Sequence, residues 1–160
     1  FTHVAGYHAS TFVRQVLFKQ SAKVDYSALP WVTYTEPELG QVGLTEAMAQ
    51  EQGVEVTAVK WDFAEMDRAV AERSKQGFCK ILVNKKNRVV GATLVGKSAG
   101  ELLQPWALAI GSKMKLSTVA GHIAPYPTLS EINKRAAGAF FTPRLFSNST
   151  KRLVRFLLRF

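Results

Sequence analysis

Apolar positions follow two rhythms along this chain, one near every third or fourth residue and one at every second. From Phe1 to about Gln20, Phe12, Val13, Val16 and Leu17 recur at helical spacing, and Thr2 is the expected cap. A polar connector from Lys19 to Pro30 follows, and Trp31 to Thr35 then alternates as a strand. The next extended segment ends at Leu44, and Thr45 caps a short helix that stops at Gly53. Val54 to Phe63 predicts a strand with a parity shift near Ala58, the mark of a bulge. Ala64 to Glu72 forms a helix or an irregular connection. Phe78–Asn84 and Arg88–Val95 flank Lys85-Lys86-Asn87 as a hairpin. Ala99 to Met114 predicts the longest apolar helix, with Leu102, Leu103, Trp106, Ala109, Ile110 and Met114 on one face. Pro105 either kinks it or falls in its first turn. Ser117 caps a short piece ending near Gly121, and Thr128 opens a helix reaching about Phe140. This order predicts an α+β fold: a mainly antiparallel sheet with helices on one face.

Composition narrows the class. With 160 residues, 47% hydrophobic, the chain can bury one core, and it carries no run of apolar residues long enough to span a bilayer as a helix. A single cysteine, Cys79, excludes an internal disulfide and fits a reducing, cytoplasmic compartment. No secretory leader is visible, and the absence of an initial methionine suggests a fragment. The net charge of +9 invites a nucleic-acid or anionic-membrane partner. From Lys134 onward, however, Lys134, Arg135, Arg144, Lys151, Arg152, Arg155 and Arg159 meet no Asp or Glu, so the excess belongs to the tail. Without a stacking platform on a sheet, no nucleic acid is expected as partner.

Candidate chemistry centres on Tyr126-Pro127-Thr128-Leu129-Ser130-Glu131. Thr128 and Glu131 match a capping box, with threonine at N-cap and glutamate at N3. The alternative is that this loop and helix start deliver two proton-active groups, Tyr126 and Glu131, to a site. A phenol near pKa ~10 is a poor base at neutral pH but a serviceable acid or donor. His122 is a further candidate, against a plain hydrogen-bonded loop residue. His3 and His8, five apart, do not make a helical metal pair, and no metal site is expected. Cys79, among Phe78, Ile81 and Val83, reads as a small core residue.

The same six residues resemble the His-Pro-Thr-x-x-Glu signature near the end of dihydrolipoamide dehydrogenases and other flavin disulfide reductases. The stretches Tyr34–Glu46, Gly77–Val83, Arg88–Ala92, Val95-Gly96 and Ala99–Glu101 resemble further blocks of that family, in the right order. The chain is therefore identified as similar to the dimerisation domain of the pyridine nucleotide-disulfide oxidoreductases. The resemblance implies FAD and NAD(P) in the full-length protein, none bound to this fragment alone, and a homodimer. It divides the chain into the tail of an FAD-binding domain (1–20), the dimerisation domain (21–142) and an extension (143–160). Thr2, His3 and Val4 would lie at the helix start that faces the flavin. Tyr126 would take the place of a proton-shuttling histidine that Glu131 orients for the other subunit. Mercuric reductases carry a Pro-Tyr pair there, which Pro125-Tyr126 resembles, but they end in adjacent cysteines where this chain ends in Arg159-Phe160. Glu101 would pack at the dimer contact. Redox thiols and dinucleotide fingerprints would lie upstream, so the isolated chain is expected to be inactive.

The extension has its own pattern. Ser147 to Thr150 reads as a hinge with capping residues. From Lys151 to Phe160 the cations share one arc and the apolar residues fill the remainder. Such a segment suits an anionic membrane surface or covers a partner domain. A non-catalytic assembly and membrane-docking module is accordingly the alternative function.

Overall fold

The computed structural model describes residues 1–159, so the predicted tail segment 151–160 ends one residue outside the described ones. Five strands form one antiparallel sheet: β1 (Pro30–Thr33), β2 (Glu38–Gly43), β3 (Val56–Asp62), β4 (Phe78–Asn84) and β5 (Val89–Gly96), in spatial order β1-β2-β5-β4-β3. Alternation along β4 explains the layering. Cys79, Ile81 and Val83 face a buried cluster, and in register Leu94 and Ala92 of β5 lie opposite Cys79 and Ile81. Lys80 and Leu82 point to the reverse face, where Lys80 pairs with Glu46 at the start of α2 (Glu46–Glu51).

The core face is covered by α4 (Ala99–Leu102), α5 (Gln104–Gly111), α6 (Leu116–Gly121) and α7 (Glu131–Ala139), with a 3₁₀ turn (Phe63–Glu65) and α3 (Asp67–Ala71) closing one end. This is the expected α+β layout. Three shorter-range expectations are corrected. The apolar run from Ala99 is two helices meeting at Leu103, and Pro105 sits in the first turn of α5, where its missing N–H costs nothing. β3 pairs with β4 without interruption, so there is no bulge at Ala58. β3 is an edge strand whose Thr57 and Ala58 are exposed, which accounts for the broken parity, and the irregularity lies instead at Leu82/Val83. Ser117 does not cap α6. The Leu116 N–H donates to the Asn87 carbonyl at 2.8 Å, tying α6 to the hairpin turn.

Two glycines are required by close approach. A Cβ on Gly91 would meet the Leu44 carbonyl oxygen at 1.9 Å, and one on Gly77 (φ +105°) would meet that of Val95 at 1.8 Å.

One buried polar hub joins the helices to the sheet. Asn133 Oδ1 of α7 accepts from the Trp106 indole N–H at 2.7 Å and lies 4.0 Å from the Cys79 sulfur, and Asn133 Nδ2 donates to the Leu102 carbonyl at 2.9 Å. Every partner is buried, so the group is satisfied where an unpaired amide would be costly. The hub fixes α7 against α4, α5 and β4, and thereby the loop that enters α7.

The ends are different. In α1 (Thr2–Val16), Phe1 is the cap residue and Thr2 the first helical one, so Thr2 does not cap. Thr11 alone is buried there among the described residues. After α7 come α8 (Thr142–Leu145) and α9 (Asn148–Leu157). The expected hinge is shorter than predicted: Ser147 caps α9 by accepting the Thr150 N–H at 3.3 Å, and residues 148–150 are already helical.

Candidate functional site

Tyr126 stands on the loop between α6 and α7, and 68% of it is exposed. Its Oη donates to Asp67 Oδ2 at 3.0 Å. Asp67 is the first residue of α3, on the far side of the sequence from the loop, and nothing in the chain's local pattern singled it out. The Asp67 carboxylate, first through this hydrogen bond and then through its charge, raises the phenol pKa above its usual value. Slight burial and the Glu131 charge act in the same direction. The phenol therefore holds its proton more firmly than a free tyrosine, as a hydrogen-bond donor and a weaker acid.

Glu131 and Tyr126 share the loop but are not joined by a hydrogen bond among the described residues. Glu131 Oε2 accepts from the Thr128 N–H at 3.4 Å, which is half of the expected capping box. The other half is missing. Thr128 Oγ1 donates to the Pro125 carbonyl at 2.7 Å, and α7 begins only at Glu131, with Ser130 in the cap position. The threonine is thus spent on bracing the loop backward toward Pro125, and the glutamate on bracing it forward.

The other candidates fall elsewhere. His122 donates Nδ1–H to the Val119 carbonyl at 2.5 Å and is not bonded to Tyr126 among the described residues. Cys79 is wholly buried, and burial pushes its thiol up to about 12, so it is chemically quiet. Among the described residues no group of three or more His, Cys, Asp or Glu could hold a metal ion.

A second feature lies at the opposite end of the chain. An open cleft of about 860 Å³ separates α1 from the sheet edge, lined among others by Phe1, Thr2, His3, Tyr26, Trp31 and Glu101. His3 Nε2–H donates to the Pro30 carbonyl at 2.9 Å, and the Phe1 ring stacks on it with centroids 5.2 Å apart. His8 and the Tyr26 hydroxyl meet at 2.6 Å, so His3 ties α1 to the first residue of β1 and His8 ties it to the connector before that strand. Thr2 and His3 thus border the cleft, whereas Val4 lies outside its lining and gives its N–H to the Phe1 carbonyl at 3.1 Å.

Comparison with known proteins gives this geometry a context. The family model described as "Pyridine nucleotide-disulphide oxidoreductase, dimerisation domain" matches residues 29–137. Dihydrolipoyl dehydrogenase of Bacillus subtilis (strain 168) is 36% identical over 136 residues, which is 84% of this chain and 29% of that protein. Mercuric reductase of Shewanella putrefaciens is 36% identical over 120 residues, covering 74% of this chain and 22% of the relative. The chain therefore spans less than a third of the length of these relatives. Among solved structures, LpdA from Mycobacterium tuberculosis aligns over 90% of this chain and 29% of its own, at 25% identity and a TM-score of 0.73. The HOCl-induced flavoprotein disulfide reductase RclA from Escherichia coli aligns over 86% of this chain and 32% of its own at a TM-score of 0.78, and at 24% identity it speaks for the fold alone. With the matched residues covering the whole sheet, α2 to α6 and all but the last two residues of α7, the chain belongs to the pyridine nucleotide-disulphide oxidoreductase dimerisation-domain family.

Proposed function

We propose that the chain is the dimerisation portion of an FAD-dependent, NAD(P)H-using, disulfide-type oxidoreductase, with residues 1–20 closing a preceding FAD-binding domain. In this reading the homodimer presents Tyr126 and Glu131 across its twofold axis to the partner's active site. The observation that carries it is the exposed phenol, clamped by Asp67 on a loop that a buried hub holds in place. Asp67 is the partner of that group among the described residues, and the phenol keeps its proton at neutral pH.

The α1 end is suited to the cofactor's edge. The Thr2 and His3 backbone N–H groups have no acceptor among the described residues, stand at a helix N-terminus and border the cleft, which fits contact with a carbonyl-bearing ring edge. Val4, whose N–H already donates to Phe1, would support these two through its place in the first turn. When bound, the flavin would supply the electron transfer between nicotinamide and a dithiol. The part left to this chain is to hold a proton at Tyr126 Oη, to keep Oη oriented through Asp67, and to brace the loop through Glu131 and Thr128.

The test is turnover in the full-length dimeric protein. Tyr126→Phe removes the proton and keeps the ring, and Glu131→Gln removes the charge that braces the loop. Lowered turnover with an intact dimer supports the reading, and unchanged turnover for both variants overturns it. A second reading, assembly joined to docking at a membrane surface, is favoured by one observation: the cationic and apolar residues of α9 are separated on opposite sides of an exposed helix.

A further inference from the structure

Of all the exposed surfaces, α9 is the one whose chemistry specifies its partner. At 100° per residue, Lys151, Arg152, Arg155 and Arg159 fall within an arc of about 100°, Phe156, Leu153, Leu157 and Val154 follow one another over about 160° of the remainder, and Leu158, the C-cap, borders Lys151. From Lys151 to Arg159 every residue is exposed, with Leu153 at 57% and Leu157 at 60%. No Asp or Glu follows Glu131, and no ion pair among the described residues involves α9. The helix is nevertheless well founded. Ser147 caps it, and the Thr150 hydroxyl donates to the Arg144 carbonyl at 2.8 Å, anchoring its first turn to α8.

We propose that α9 lies on a bilayer surface, its apolar side among the acyl chains and its cations on anionic phospholipid headgroups. The juxtaposition selects this occupant over others. A neutral groove in a protein would cover the leucines but leave four cations without counter-charges. A paired copy of α9 would bury only a narrow stripe of an apolar side that is twice as broad, and ten residues are too few for a stable two-helix coil. An anionic interface uses both sides at once. No helix among the described residues is long and apolar enough to cross a membrane, so the attachment is peripheral. A single short helix holds such a surface weakly. The proposal therefore rests on the dimer reading for its strength, since two tails on one dimer bind with the gain of an intramolecular second contact.

The experiment is co-sedimentation of the full 160-residue chain with vesicles, either pure phosphatidylcholine or containing about one quarter phosphatidylglycerol. Binding to the anionic vesicles is expected to exceed binding to the neutral ones by at least about a hundredfold, and most of that advantage is expected to be lost near 0.5 M salt. Arg152→Gln with Arg155→Gln should weaken it by roughly 25-fold, about fivefold for each cation. Leu153→Ser with Leu157→Ser should weaken it by at least about tenfold while leaving the fold of the body unchanged by circular dichroism. Equal binding to both vesicles, indifference to either double variant, or no binding at all would overturn the proposal. Sedimentation velocity on the vesicle-free sample separates the two ideas. A dimer that ignores anionic vesicles removes the surface proposal, and a monomer that binds them removes the two-tail argument while leaving the full-length dimer to its own turnover test.

Discussion

Two polar arrangements in this molecule are built from similar parts and do opposite things. At the Asn133 hub, an amide, an indole N–H and a carbonyl are sealed from water and satisfy one another. At the Tyr126 tip, a phenol and a carboxylate meet in the open, on a loop whose other polar groups are occupied in holding its shape. Burial makes the first a matter of stability, because any partner removed leaves a group stranded away from water. Exposure makes the second a matter of chemistry, because losing Asp67 exchanges one hydrogen bond for another with solvent and changes only how the phenol is held. The hub is what allows the tip to be exposed and still be placed.

The contrast can be broken at several points. The largest effect is expected at Cys79 on the hub's edge. Its thiol, pushed up to about 12, should react with an aromatic disulfide reagent at least about a thousandfold more slowly in the native chain than in the unfolded one. Native reaction at the rate of a free thiol would show that the hub is open to water. Next, Asn133→Ala strands the Trp106 N–H and loosens the Leu102 carbonyl, and should destabilise the fold by roughly 2–5 kcal/mol in urea titration. A loss under about 0.5 kcal/mol would mean that the hub is decorative. At the tip the order reverses. Tyr126→Phe should leave stability within about 0.5 kcal/mol and, in the full-length dimer, lower turnover on the order of 100-fold.

Asp67→Asn sharpens the comparison further. Asp67 raises the phenol's folded-state pKa, so its removal should move tyrosinate formation, followed by absorbance, to lower pH. A folded-state pKa raised above its unfolded value adds stability that is complete below the unfolded pKa, near ~10, and is lost as pH rises through the folded one. Because Tyr126 is solvated, that change shows in the titration and not in the unfolding midpoint. A midpoint of absorbance that stays fixed would break the Tyr126–Asp67 pairing. The smallest effect belongs to surface pairs such as Lys97–Glu72 at 2.7 Å, where Lys97→Met should cost less than about 1 kcal/mol.

Much of the body was legible in the chain because its strands and helices each bury one side. The Phe78–Asn84 and Arg88–Val95 runs gave the central hairpin, and the Thr45 cap and Gly53 stop bracketed α2 with the Thr45 hydroxyl accepting the Met48 N–H at 3.2 Å. The break at Leu103 was hidden because both halves keep their apolar residues on one side, and only Pro105 hinted at it. The hub had a signal that periodicity can supply: Asn133 falls beside Ile132 at the spacing shared with Ala136 and Ala137, a polar residue in a buried row. At the tip, Tyr126 and Glu131 were visible as a motif, but Asp67 was not. Fifty-nine residues separate it from Tyr126, and an acid at a helix start reads equally well as a partner for the helix dipole. The pairing exists only once the fold has brought α3 beside the loop.

The claim on which the functional account turns is that the phenol serves the other subunit. A hybrid dimer tests it most directly. One full-length subunit carries Tyr126→Phe with its redox thiols intact, and its mate keeps Tyr126 but has those thiols replaced by serine. If Tyr126 acts across the twofold axis, the hybrid assembles one complete site and recovers about half of the wild-type turnover, although each parent homodimer is impaired. Turnover no higher than that of the Tyr126→Phe parent would place the phenol with its own subunit's thiols, or with none, and contradict the account.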